Sequence, residues 1–154
     1  MTQHIPHFTE SIFYSIEQIA RYLEINAKAF FEKISKEITP EEFRTIDVIL
    51  CNPDICQRDL AKLILRDRVR TGRILDSLEL KGLIRRFGDM KNNRLVKKMA
   101  LTEKGLNCFN EITHKLQVYM EETSKEFTPN QIEELRNLLN LLKKVLTKIT
   151  KVPV

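Results

Sequence analysis

Cys56-Gln57-Arg58-Asp59-Leu60-Ala61-Lys62-Leu63-Ile64-Leu65-Arg66-Asp67-Arg68-Val69-Arg70-Thr71-Gly72-Arg73-Ile74-Leu75-Asp76-Ser77-Leu78-Glu79-Leu80-Lys81-Gly82 is the stretch on which the fold turns. Its first part, residues 56–65, reads as a short helix with Leu60, Ala61, Leu63 and Ile64 inward. Asp67 suits the N-cap of a second helix that runs to Lys81 and is closed by Gly82. On this second helix Thr71, Ile74, Leu75 and Leu78 form the core side. At about 100° per residue, Arg66, Arg70, Arg73 and Ser77 align along another side. Two short helices in succession, the second anchored by one side and carrying guanidinium groups on another, predict a helix-turn-helix.

Two segments of alternating apolar and basic residues follow, 83–87 and 95–101, with a Gly- and Asn-containing turn between them at 88–94. This pattern predicts a β-hairpin with a basic tip. The charge distribution agrees with a role for the whole region. Residues 57–104 hold fourteen of the 26 Lys and Arg but six of the 21 Asp and Glu, a local balance of +8. The remainder of the chain is −3, so the overall +5 conceals a basic centre between acidic flanks. Charge of one sign concentrated in this way attracts a polyanion. A helix and a narrow basic hairpin fit the grooves of duplex DNA.

Outside this centre the periodicity is helical. Ile12, Ile16, Ile19, Leu23, Ala27, Phe30 and Ile34 make one stripe on a long helix over 11–36. Thr39-Pro40-Glu41-Glu42 opens another helix, with Thr39 as cap and Glu42 completing a capping box, and Asn52-Pro53 ends it. Thr102 opens a fifth helix that runs to about residue 126, and Thr128-Pro129-Asn130-Gln131 caps a sixth. The sixth carries the stripe Ile132, Leu135, Leu138, Leu139, Leu142, Val145, Leu146 and Ile149. The expected fold class is therefore mostly α with a small β-hairpin (α+β).

The residue inventory excludes several functions. No apolar run is long enough to span a bilayer, and residues 1–10 lack the basic-then-apolar order of an export signal, so the expected location is the cytoplasm with no membrane partner. Three Cys without framework spacing are then expected to be reduced thiols. There is no Gly-rich phosphate loop, no His/Cys set at zinc spacing and no nucleophile with an acid/base partner. An enzyme is not expected, nor a cofactor or metal. His4 and His7 lie in a terminal arm and His114 stands alone.

In this order and spacing the residues resemble the MarR-type winged helix-turn-helix transcription regulators. The likeness is carried by Gln57-Arg58-Asp59-Leu60-Ala61, by the run from Arg73 to Arg86, and by Ala100-Leu101-Thr102-Glu103-Lys104-Gly105, which matches the family's Leu-Thr-x-x-Gly signature. The resemblance implies one domain over 1–154, with a DNA-binding winged helix at 39–102 and dimerisation helices at 8–36 and 103–150. It also implies a homodimeric repressor on a palindromic operator in double-stranded DNA, released by a small-molecule effector or by oxidation. Arg66, Arg68, Arg70, Arg73 and Ser77 are expected at the major groove and Arg94 at the minor groove from the wing tip, with Arg86 and Lys91 as further DNA-binding residues. The family wing carries Asp, one residue, then Arg. Here Asn92 stands where the acid is expected, which leaves Asp89 to orient Arg94. Gly72 replaces a common Thr, which suggests a close backbone approach or a slight bend. Cys56 sits at a helix start, where a thiol is activated, and with Cys51 is the redox candidate. The rival reading is a winged helix that binds a protein partner instead of DNA.

Overall fold

The computed structural model describes residues 7–150, so His4 lies outside the described residues. The chain divides into two compact units, one up to residue 40 and one from residue 41 onward. In the first, Ser11 caps α1 (Ile12–Ile34) by accepting from the Tyr14 amide at 3.2 Å. Three of the seven α1 stripe residues are solvent-facing, Ile12, Ile19 and Leu23 each being more than half exposed, and the other four are half-buried.

The second unit begins with α2 (Pro40–Cys51), α3 (Gln57–Leu63) and α4 (Arg68–Leu80). β1 (Ile84–Lys91) and β2 (Arg94–Leu101) follow, then α5 (Glu103–Ser124) and α6 (Pro129–Ile149). The winged helix-turn-helix expected from the sequence is present. Its core is built from Phe43, Ile46 and Ile49 of α2, Leu60 and Ala61 of α3, and Ile74, Leu75 and Leu78 of α4, all buried. Leu83, Ile84 and Met99 of the hairpin root and Ile112 of α5 complete it. Phe43 stacks on Phe109 with ring centroids 5.2 Å apart, tying α2 to α5.

Local chemistry sets the boundaries. Helix α3 is shorter than the expected 56–65 and stops at Leu63, because Leu65 takes a left-handed conformation (φ 54°) and the Arg66 amide returns to the Ala61 carbonyl. No Gly marks this stop, so periodicity alone ran past it. Asp67 caps α4 as expected, accepting from the Arg70 amide at 2.8 Å. Gly82 (φ 70°) ends it. The hairpin is longer than expected and its turn is two residues, not seven. Asn92 and Asn93 both hold positive φ (51° and 58°), and Lys91 pairs with Arg94 across them. A two-residue turn with both φ positive follows the right-handed twist of its strands, and Asn tolerates that conformation. The segment before α3 joins the sheet through a bridge between Cys56 and Lys98.

The start of α5 explains the Leu-Thr-x-x-Gly pattern. Thr102 Oγ1 accepts from the Gly105 amide at 3.0 Å and donates to the Gly82 carbonyl at 2.6 Å. The Thr102 amide donates to the Leu83 carbonyl at 3.0 Å. This brings the helix backbone so close that a Cβ on Gly105 would stand 1.9 Å from the Leu83 oxygen. Gly72 is different: its Cβ would meet the Gln57 amide nitrogen at 3.6 Å, an ordinary contact, so close backbone approach does not explain it. Thr128 and Gln131 form the expected capping box at α6.

Candidate nucleic-acid interface

The eight residues expected at DNA separate into two groups once their partners are seen. Arg66 lies before the cap of α4, not on the helix, and its Nε donates to Glu41 Oε1 at 2.6 Å. Arg70 donates to the same carboxylate through Nε (3.2 Å) and Nη2 (2.9 Å). Burial pushes the Glu41 carboxyl up, but the hydrogen bonds from Arg70 and Arg66 outweigh it and hold the group below the ordinary carboxylate range. Ser77 donates to buried Glu42 at 2.6 Å, and Lys81 reaches both oxygens of that group at 2.7 Å.

Arg86 is half-buried between Glu79 (2.6 Å) and Asp76 (2.7 Å). Its hydrogen bond lowers the Glu79 carboxyl. Lys91 Nζ sits 2.7 Å from Asp59 Oδ2. The Lys91 hydrogen bond, with a second from Cys56, takes the Asp59 carboxyl down to about 2. What that pair contributes to stability is present above pH 3.8 and is lost only as the pH falls toward 2.

The side chains of Arg68, Arg73 and Arg94 are exposed and make no hydrogen bond or ion pair with another described residue. The expected partner of Arg94 is otherwise engaged, since Asp89 pairs with Lys98 and accepts from the Met90 amide. The side of α4 that carries Arg70 and Ser77 thus leans on the acids of α2. Arg73 lies farther round, opposite the buried Ile74, Leu75 and Leu78. Nothing in the spacing of α4 itself reveals this split; the signal was Glu41-Glu42, two acids at the start of the neighbouring helix.

Beside the free cations lies a cleft of about 640 Å³, bounded by the starts of α3 and α4 and by the hairpin. Arg58, Arg68, Lys91, Arg94 and Lys97 line it, with Leu95 and Val96 among the apolar walls and no carboxylate. Arg58 was not singled out from the sequence, and Lys97 only as one of a pair with Lys98 on the wing strand, at most one of which would reach a phosphate. Both belong to the dense basic centre, but only the bend of the hairpin toward α3 gathers them with Arg68 and Arg94. Five cations around one concavity make a local field suited to phosphates.

The thiols rank differently from expectation. Cys56 caps α3 by position but is 4% exposed, makes no cap hydrogen bond and donates to Asp59 Oδ2 at 3.1 Å. Cys51, the other redox candidate, is exposed, and Cys108 is intermediate. Mass-resolved alkylation at neutral pH should therefore label Cys51 first and Cys56 last. Cys56 labelling as fast as Cys51 would show that the start of α3 opens readily. Among the described residues no group of three or more His, Cys, Asp and Glu converges as a metal site, and no helix is long and apolar enough to cross a membrane.

Comparison with known proteins places these features in context. The MarR family model matches residues 38–96, the segment that holds α2, α3, α4 and the hairpin up to Val96. The chain is 29% identical over 129 residues to YybA of Bacillus subtilis (strain 168), an uncharacterized HTH-type transcriptional regulator, covering 84% of each chain. The solved structure of the transcriptional regulator SlyA superposes with a TM-score of 0.76 at 28% identity, covering 90% of this chain and 95% of that one. A SlyA-like regulator from Listeria monocytogenes gives 0.77 at 25% identity, covering 90% and 91%.

Proposed function

We propose that the chain is a MarR-type transcription regulator, a homodimeric repressor of a palindromic operator. It works in the cytoplasm by binding DNA rather than by catalysis. The observation that carries the reading is that the side chains of Arg68 and Arg73 on α4 and Arg94 on the hairpin are exposed and unpartnered, beside a cleft lined by five cations. Arg73 enters the major groove, where a guanidinium can read a guanine edge. Arg94, at the tight Asn92-Asn93 turn, reaches the minor groove, and Arg58, Arg68 and Lys97 take phosphates. Arg66, Arg70, Ser77, Arg86 and Lys91 serve chiefly to hold α4 and the hairpin in place through their acid partners.

Dimerisation is supported by α6, which has no buried residue although its stripe is apolar throughout. Two copies place two winged helices on two half-sites, matching operator symmetry to protein symmetry. The winged-helix units span residues 39–102, flanked by dimerisation helices at 8–36 and 103–150. Release by a small effector follows the family resemblance. For release by oxidation, Cys51 is the thiol that solvent reaches.

The test separates base readers from phosphate contacts. Arg73→Ala should cost roughly 1–3 kcal/mol on the operator and relax preference at one base pair. Arg68→Ala or Lys97→Ala should weaken all sequences alike and reduce the salt slope by about one counterion. Arg94→Ala should lose most on sites with A·T-rich flanks, where a narrow minor groove attracts arginine. If folded Arg73→Ala binds operator and random duplex as the wild type does, α4 is not the recognition helix.

A further inference from the structure

Glu41 stands in the first turn of α2, outside the helix-turn-helix proper, yet its carboxylate holds two guanidinium groups of the basic centre. Oε1 receives both Nε groups, from Arg66 at 2.6 Å and Arg70 at 3.2 Å, and Oε2 receives Arg70 Nη2 at 2.9 Å. The two arginines are not buried. Their side chains are 37% and 56% exposed, against 27% for Glu41, so they lie at the surface and within reach of a polyanion. We propose that Glu41 is a specificity-determining residue that occupies Arg66 and Arg70 in place of DNA phosphates and thereby limits the grip on random sequence.

The physical reasoning is direct. Charge-assisted hydrogen bonds to a carboxylate and to a phosphate compete for the same N–H groups. A cation already neutralised within the protein releases fewer counterions from DNA when it arrives at the backbone. The carboxyl of Glu41 is held below its ordinary range, so it is ionised throughout the neutral region and the pairing does not depend on pH there. Sequence-independent affinity comes almost wholly from phosphate contacts, whereas discrimination comes from base edges. An acid that removes two arginines from the first category and leaves Arg73 free for the second therefore raises the ratio of specific to non-specific binding. Glu42, the next residue, does not share the role: it is buried and its ties to Ser77 and Lys81 fasten α4 internally.

This inference rests on the DNA-binding reading above, and its test separates the two. Binding of wild type and Glu41→Gln to a random-sequence duplex is measured by fluorescence anisotropy across a salt series. The variant should bind about 3- to 10-fold tighter at 0.1 M salt, with a slope steeper by about one to two counterions, and its operator-to-random ratio should fall. Adding Arg66→Ala and Arg70→Ala to that variant should remove the gain. An independent arm avoids dependence on how Glu41→Gln folds: Arg66→Ala with Arg70→Ala on native Glu41 should leave the random-duplex slope unchanged. A slope lowered by one or more in that arm, or a folded Glu41→Gln that binds random duplex no tighter than wild type, overturns the proposal and leaves the DNA-binding function standing. A wild type that binds no duplex at all overturns both.

Discussion

Replacing Leu138 and Leu142 by Asp should convert the protein to a monomer at micromolar concentration and lower operator affinity by about 10²- to 10⁴-fold. The expectation follows from α6, whose Leu135, Leu138, Leu139, Leu141, Val145, Leu146 and Ile149 are all exposed large apolar side chains. Such a row on one helix is costly in water and inexpensive once a second copy covers it. An ionised carboxylate placed in the covered seam would have to be desolvated without a partner, which opposes assembly strongly. Operator binding falls with assembly because each winged helix then finds its half-site alone, without the effective concentration that linkage provides. Leu138 is 59% exposed in the single chain, so Leu138→Asp alone is the variant with the least effect on the fold and serves as the control for Leu142, which is half-buried. Sedimentation velocity decides the matter. A wild type that sediments as a monomer at micromolar concentration, or a double variant that remains a dimer, would remove the assembly.

The second large effect concerns stability. Gly105→Ala should destabilise the fold by about 1–3 kcal/mol or more, lowering the melting temperature by roughly 2–4 °C for each kcal/mol in a chain of this size. The added methyl would meet the Leu83 carbonyl oxygen at 1.9 Å and its carbon at 2.9 Å, backbone atoms that cannot rotate aside. Relief requires α5 to move away from the root of β1. That movement breaks the hydrogen bonds from Thr102 to Gly82 and Leu83, which close the winged helix. Gly72→Ala is the matched comparison. Its methyl meets only a side-chain nitrogen at 3.6 Å, and alanine in a helix is favoured over glycine by roughly 1 kcal/mol. Thermal melts that rank Gly105→Ala as stable as Gly72→Ala would show that α5 does not need its close approach.

The sequence by itself determined the elements and their order. Stripes at helical spacing, the Asp67 and Thr128 caps, the Gly82 stop and the alternation in the hairpin are local signals, because each depends on side chains and backbone groups within a few residues of one another. The concentration of charge at 57–104 was equally legible, as was the likeness carried by residues 57–61, 73–86 and 100–105. Where local signals were weak, boundaries slipped. Leu65 turns the chain left-handed without a Gly to mark it, and Asn92-Asn93 makes a two-residue turn in place of a longer loop.

Which cations remain free for a partner was decided only by the tertiary structure. Helical spacing says that Arg70 and Arg73 lie on neighbouring lines of α4, yet Glu41, 29 residues from Arg70 along the chain, engages one and leaves the other exposed. Asp59 likewise claims Lys91 from 32 residues away, and Glu42 claims Ser77 from 35. The Cys56 thiol stands at a helix start but is covered, its segment bridging to Lys98 on β2. Ion pairs and burial depend on distances in space between residues remote in sequence, and a one-dimensional spacing carries no record of those distances.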